Sequence, residues 1–168
     1  MHKSLLIVGA GSFATEVEEL ARLKGYSDIA FLDDDADNTC CTPVVGKLCD
    51  IDKFAGKYDE VIVAFGKNDM RLKFTEMLLA YNYVIPTLVH PTAYVSPDAI
   101  LSEGCIVRAQ AVVSRYVKLD KACIVNVGAY IDHHCVIGEG THILIGAVVR
   151  NKVKLPPKTW VYANEVVE

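Results

Sequence analysis

Residues 95–148 read VSPDAI LSEGCI VRAQAV VSRYVK LDKACI VNVGAY IDHHCV IGEGTH ILIGAV when cut into sixes. An aliphatic residue heads every unit: Val95, Leu101, Val107, Val113, Leu119, Val125, Ile131, Ile137 and Ile143. The register continues through Val149, Leu155, Val161 and Val167. Four residues after each head comes a mostly small side chain: Ala99, Cys105, Ala111, Val117, Cys123, Ala129, Cys135, Thr141, Ala147, Val153 and Thr159. Only Glu165 departs from this second rule. An amphipathic helix drifts out of a six-residue period, so a helix is excluded. One large and one small inward side chain per hexad build one flat side of a triangular coil. Three hexads close a turn, and four turns paired as parallel strands give a prism about 19 Å tall.

Working back towards the N-terminus, the pattern changes to alternating strands and helices. Leu5–Val8 is an expected strand, followed by the turn Gly9-Ala10-Gly11 and a helix over roughly Ser12 to Lys24, stopped by Gly25. Ile29–Leu32 is a second strand ending in Asp33-Asp34-Asp35. Asp59–Phe65 is a third, and Met70–Tyr81 a second helix. Such alternation implies a small parallel sheet covered by helices. The expected domains are residues 1–88 and 89–168.

Gly-x-Gly-x-x-Ala after a strand, with an acid 22 residues beyond Gly11, fits the dinucleotide fingerprint. The bland alternative is a tight strand-to-helix turn without a ligand. About 90 residues supply only half of a dinucleotide fold, which suits a single nucleotide. Glycine amides at the helix start can hold phosphates, and Asp33 or Asp34 a ribose or base.

Composition narrows the field. The chain has 168 residues, 52% hydrophobic and 23% charged, which is globular rather than disordered. A net charge of −4 and a pI near 5.7 argue against a nucleic-acid binder. No apolar run approaches the ~20 residues of a membrane helix. The opening MHKSLLIVGAGS enters a glycine loop after five apolar residues, unlike a signal peptide. The six cysteines are expected as reduced thiols, and the location as cytoplasmic.

Histidine is scarce, five in all, yet His133, His134 and His142 fall within ten residues. A neutral imidazole can remove a proton as an amine or hydroxyl attacks a thioester, and Asp132 or another carboxylate can orient it. Counting in 18s, His133 stacks between Arg115 and Asn151, and His134 between Tyr116 and Lys152. His142 stacks between Ile124 and Trp160. The bland alternative makes these histidines surface or packing residues.

With both halves in place, the chain resembles the sialic acid O-acetyltransferase and UDP-4-amino-sugar N-acetyltransferase family of hexapeptide-repeat sugar acyltransferases. The resemblance rests on IVGAGSFATE, FLDDD, TPVVGKL, AFGKNDMR, PTLVHPTAYVSP and VNVGAYIDHHCVIGEGTHILIGA. It implies an α/β half-Rossmann-like domain followed by a left-handed parallel β-helix of about four coils. It also implies a homotrimer, and acetyl transfer from acetyl-CoA to an amino or hydroxyl group of a nucleotide sugar or sialic-acid-type acceptor in surface-glycan synthesis. The nucleotide sugar would meet Gly9, Gly11, Asp33, Asp34, Gly66, Lys67 and Arg71. His133 would be the general base and His142 the residue near the thioester carbonyl, with Asp132 and His134 beside the base. Gly146, Arg150 and Lys152 are the candidate contacts for the cofactor. The basic stretch Val149–Glu168 either meets CoA phosphates or forms a solvated edge.

Two departures from the family matter. The residue after the base is typically a glutamate, and here it is His134, so the activating partner is another acid, such as Asp132, or is missing. Relatives usually continue for further hexads, whereas this sequence stops 26 residues after His142. The expectation from that is an uncapped last coil and a shortened CoA groove. The alternative function is a non-catalytic, nucleotide-sugar-binding or scaffolding trimer. A zinc enzyme of the carbonic anhydrase type would need three histidines between subunits. His133, His134 and His142 lack that family's spacing, so no metal is expected.

Overall fold

A computed structural model of the chain describes residues 3–35, 37, 39–41 and 43–168. The chain divides into two compact units between Pro86 and Thr87.

The first unit contains β1 (Lys3–Val8), α1 (Ser12–Leu23), β2 (Tyr26–Leu32), β3 (Val44–Gly46), a 3-10 helix (Leu48–Phe54), β4 (Glu60–Val63) and α2 (Asn68–Ala80). The strands form one parallel sheet in the order β3-β2-β1-β4. β1 lies in the interior of the sheet, and its Leu5, Leu6, Ile7 and Val8 are all buried. A strand covered on both faces needs such an unbroken apolar run. α1 buries Ala14, Val17, Leu20 and Ala21, one stripe of a 3.6-residue period. It ends where Gly25 takes a positive φ of 92°. Sequence reasoning found β1, β2, β4 and both α-helices. It missed β3, which carries Val44, Val45 and Gly46 of the segment TPVVGKL, and the 3-10 helix after it. Thr42 of that segment lies outside the described residues. A three-residue edge strand is too short to show a period.

The second unit is the expected prism, a left-handed parallel β-helix. Its strands are two residues long and pair only with strands one coil away: Ile124 with Ile106 and His142, Tyr130 with Val112 and Val148, Lys118 with Ile100 and Val136. Each pairing spans 18 residues, the turn length read from the sequence. Three sheets result, of five, five and four strands. The first strand is Leu88–Val89, one hexad ahead of Val95. The hexad heads Val107 to Val149 and the small residues Cys105, Ala111, Cys123, Ala129, Cys135 and Ala147 are sealed inside.

The corners follow a third rule that hydropathy does not display. From Gly104 to Asn164 the fourth residue of every hexad has a positive φ, including Gln110, Tyr116, Ala122, His134, Lys152 and Lys158. An L-residue there costs about 1 kcal/mol against glycine. The left-handed turn aims its N–H at the preceding coil. His134 N donates to Arg115 O at 3.0 Å, Lys152 N to His133 O at 3.0 Å and Lys158 N to Glu139 O at 2.8 Å. These bonds offset the strain and lock coil to coil.

Candidate active site

In the first unit, the candidate binding residues gather at the C-terminal ends of β1, β2 and β4, where open parallel sheets take ligands. Gly9 has φ 101°, and a Cβ there would stand 2.9 Å from Phe65 Cε1, so only glycine fits. Gly11 caps α1 with no side-chain hydrogen bond, and the first turn holds no acidic residue. Asp33 faces inward. Its Oδ2 accepts the Ala10 N–H at 2.7 Å and its Oδ1 the Asp35 N–H at 3.0 Å. Asp34 is exposed, and its Oδ1 accepts the Leu48 N–H at 2.9 Å. It borders a cleft of about 430 Å³ together with Cys49, Asp52, Lys73 and Phe74.

Lys67 is exposed at the N-cap of α2. Arg71 is fully buried. Its Nη1 donates to Phe65 O and Gly66 O, both at 3.0 Å, and its Nη2 donates to Asn68 Oδ1 at 2.8 Å. This guanidinium therefore shapes the β4–α2 loop from below, and Lys67 is the cation that loop presents to solvent.

In the second unit, Asp132, His133 and His134 form the corner after the strand Tyr130–Ile131. They line a cleft of about 400 Å³ with Ser114, Arg115 and Tyr116 of the coil before. The stacking read from the sequence is present in space. His133 Nε2 lies 3.5 Å from Asn151 Nδ2, and the His134 ring lies 4.8 Å from that of Tyr116. The His133 and His134 rings meet edge to face, and their Nδ1 atoms are 2.9 Å apart. Asp132 behaves otherwise: its Oδ1 accepts the backbone N–H of His133 at 2.7 Å, and it fixes the turn. His134 meets the Nδ1 side of the His133 ring and Asn151 its Nε2 side. Arg115 pairs with Asp98 at 2.8 Å and lies over the Tyr116 ring.

His142 is buried on a different sheet, paired with Ile124 and Trp160 as the count in 18s required. Its ring lies 5.0 Å from Trp160, and its Nε2 is 3.3 Å from Asn126 Nδ2. Asn126 escaped sequence reasoning, because nothing in its hexad position marks it. Gly146 has φ 67°, Arg150 pairs with Glu168 at 2.8 Å, and Lys152 is exposed in the coil after His134. Among the described residues, no group of three His, Cys, Asp or Glu side chains comes together to hold a metal.

A half-Rossmann unit followed by a hexapeptide β-helix with histidines in an open cleft defines a transferase of the hexapeptide-repeat class. Residues 4–78 match the family model described as the PglD N-terminal domain. The acetyltransferase domain of PglB from Neisseria gonorrhoeae FA1090 is 31% identical, with 99% of this chain and 92% of that one aligned and a TM-score of 0.88. Its structure in complex with acetyl coenzyme A gives 29% identity, 98% of both chains and a TM-score of 0.84. PerB from Caulobacter crescentus, in complex with CoA and GDP-perosamine, gives 27% identity over 98% of this chain and 88% of that one, with a TM-score of 0.85. The chain belongs to the hexapeptide-repeat sugar acetyltransferase family.

Proposed function

We propose that this protein transfers the acetyl group of acetyl-CoA to the amino group of a nucleotide-activated amino sugar during surface-glycan synthesis. The carrying observation is His133, whose ring borders an open cleft while its Nδ1 is held by a neighbouring side chain. The relatives with bound acetyl-CoA, or with CoA and GDP-perosamine, support both the donor and the acceptor class.

The thioester supplies the activated acetyl group. This chain's residues manage protons and position. As the sugar nitrogen bonds to the carbonyl carbon, His133 Nε2 takes the proton that the nitrogen loses. The carbon–sulfur bond then breaks, and the imidazolium returns that proton to the departing thiolate. Backbone amides along the coils stabilise the oxyanion formed in between. Nucleotide phosphates meet the Gly11 amide and the start of α1, which no side chain caps, with Lys67 and Asp34 at the rim. The Gly9 N–H is taken by Leu32 O at 2.8 Å, and Gly9 serves by its turn. Gly146, Arg150 and Lys152 hold the donor.

The working form is a homotrimer. One outer face of the prism carries the column Tyr94, Val112, Tyr130, Val148 and Val166, of which Tyr94 is 56% and Val166 55% exposed. An apolar stripe of this kind suits burial against a second copy. His133 and His142 lie half a coil apart on different faces, so a single site would take His142 from the neighbouring subunit. The location is cytoplasmic, which agrees with six free thiols.

The test is calorimetric titration with acetyl-CoA, followed by a thiol-release assay with GDP-perosamine and UDP-amino sugars. Micromolar donor binding and a His133→Ala protein that folds but loses transfer are expected. No donor binding at millimolar concentration would remove the function, and unchanged turnover by His133→Ala would remove the base.

A further inference from the structure

We propose that His134 is a positioning residue: its Nδ1 accepts the Nδ1–H of His133, which fixes the tautomer that leaves His133 Nε2 as the basic nitrogen. The inference rests on the reading of His133 as the base.

A neutral imidazole carries one N–H and one lone pair. With 2.9 Å between the two Nδ1 atoms, one ring donates and the other accepts. The direction follows from the far side of His133, where Nε2 faces Asn151 Nδ2 at 3.5 Å. An amide NH2 only donates, so Nε2 offers a lone pair and the ring proton sits on Nδ1. The chain of donors therefore runs from Asn151 to His133 to His134, and His134 carries its own proton on Nε2. The usual orienter, a carboxylate, is turned elsewhere. Asp132 Oδ1 accepts the His133 backbone N–H, and Asp98 is paired with Arg115.

His134 is built to hold its aim. Its φ of 62° places it on the left-handed corner, its N–H donates to Arg115 O at 3.0 Å, and its ring packs on Tyr116. When His133 gains a proton at Nε2, the Nδ1–H bond to His134 persists without change of partner. An acid at this position would both orient the ring and add negative charge. A neutral histidine keeps the orientation alone, which is how the sequence departs from its family without losing the base.

The deciding measurement is long-range proton–nitrogen correlation on the full chain with ring-labelled histidine. His133 is expected as the Nδ1–H tautomer and His134 as Nε2–H. His134→Phe retains an aromatic ring against Tyr116 but removes the acceptor, and His133 should then pass mainly to Nε2–H. His134→Glu restores an acceptor, and Nδ1–H should return. Nε2–H at His133 in the unmodified protein overturns the proposal, and so does Nδ1–H that survives in His134→Phe. The unmodified spectrum is decisive even if that variant fails to fold. Failure of the base itself shows separately, as acetyl transfer by His133→Ala.

Discussion

Asp33 Oδ2 accepts the backbone N–H of Ala10 at 2.7 Å, so the acid that ends β2 clasps the glycine turn that ends β1. Its other oxygen takes the Asp35 N–H at 3.0 Å. In a dinucleotide fold an acid at this spacing contacts a ribose; here it organises the loop that would receive phosphates. Hydrogen bonds to a carboxylate contribute about 1.5–3 kcal/mol. Asp33→Ala should lower the unfolding free energy measured in urea by that order, with a matching fall in midpoint. Asp33→Asn should recover part of the loss, because an amide oxygen serves one of the two donors. An unchanged midpoint in both variants would mean the carboxylate is free for a ligand.

Gly138 lies under the backbone of the next coil. A Cβ there would stand 2.5 Å from Pro157 N, 2.7 Å from Pro156 C and 2.9 Å from Leu155 O. None of these atoms belongs to a side chain that can swing away. Gly138→Ala should cost roughly 1–3 kcal/mol by forcing the coils apart. Gly128 is the control: it has φ 65° with open space around it, so alanine costs only about 1 kcal/mol of left-handed strain. Thermal unfolding of the pair checks the order, and a milder effect at Gly138 contradicts the packing.

The Tyr26 hydroxyl donates to Glu60, whose carboxylate also pairs with Lys3 at 2.8 Å. Burial, and then the Glu60 hydrogen bond, push the phenol up to about 12 from an ordinary value of 10.0. A raised folded value means the native state holds the proton more tightly. The contribution is complete below pH 10.0 and disappears as pH climbs through about 12. Tyr26→Phe should lose the part of the alkaline fall in stability that falls in this window. Equal falls in both proteins would contradict the assignment.

Thiol chemistry separates the six cysteines. Cys40 and Cys49 are exposed, while Cys41, Cys105, Cys123 and Cys135 are buried. Burial, aided by Glu18 and Cys40, pushes Cys41 up to about 11, and burial also raises Cys135. Because the thiolate is the reactive form, a disulfide reagent should titrate two thiols quickly in the native protein and all six in denaturant. Fast reaction of four or more would mean the prism interior opens readily. The same titration sets the blank for the thiol-release assay.

The hexads from Val95 onward determined the β-helix, its 18-residue coil and the partners above and below each residue. A strand pairing that repeats at a fixed offset leaves nothing else for the chain to choose. Thus the stacking of His133 on Asn151 and of His142 on Trp160 is legible in the sequence. The strand Leu5–Val8, the glycine turn and the first helix were equally plain, since their signals are local.

What the tertiary structure alone decided is the direction in which polar side chains point. Asp132 and His134 flank the same histidine, yet the turn sends the carboxylate to a backbone N–H and the imidazole to the ring. The resemblance offers Arg71 to the nucleotide sugar, but only the fold shows that its side chain is fully buried with the guanidinium on Phe65 O and Gly66 O. Apolar periodicity reports which face of an element is buried. A hydrogen bond depends on rotamer, corner geometry and competing acceptors, which come from residues far apart in the chain and take their places only when it folds.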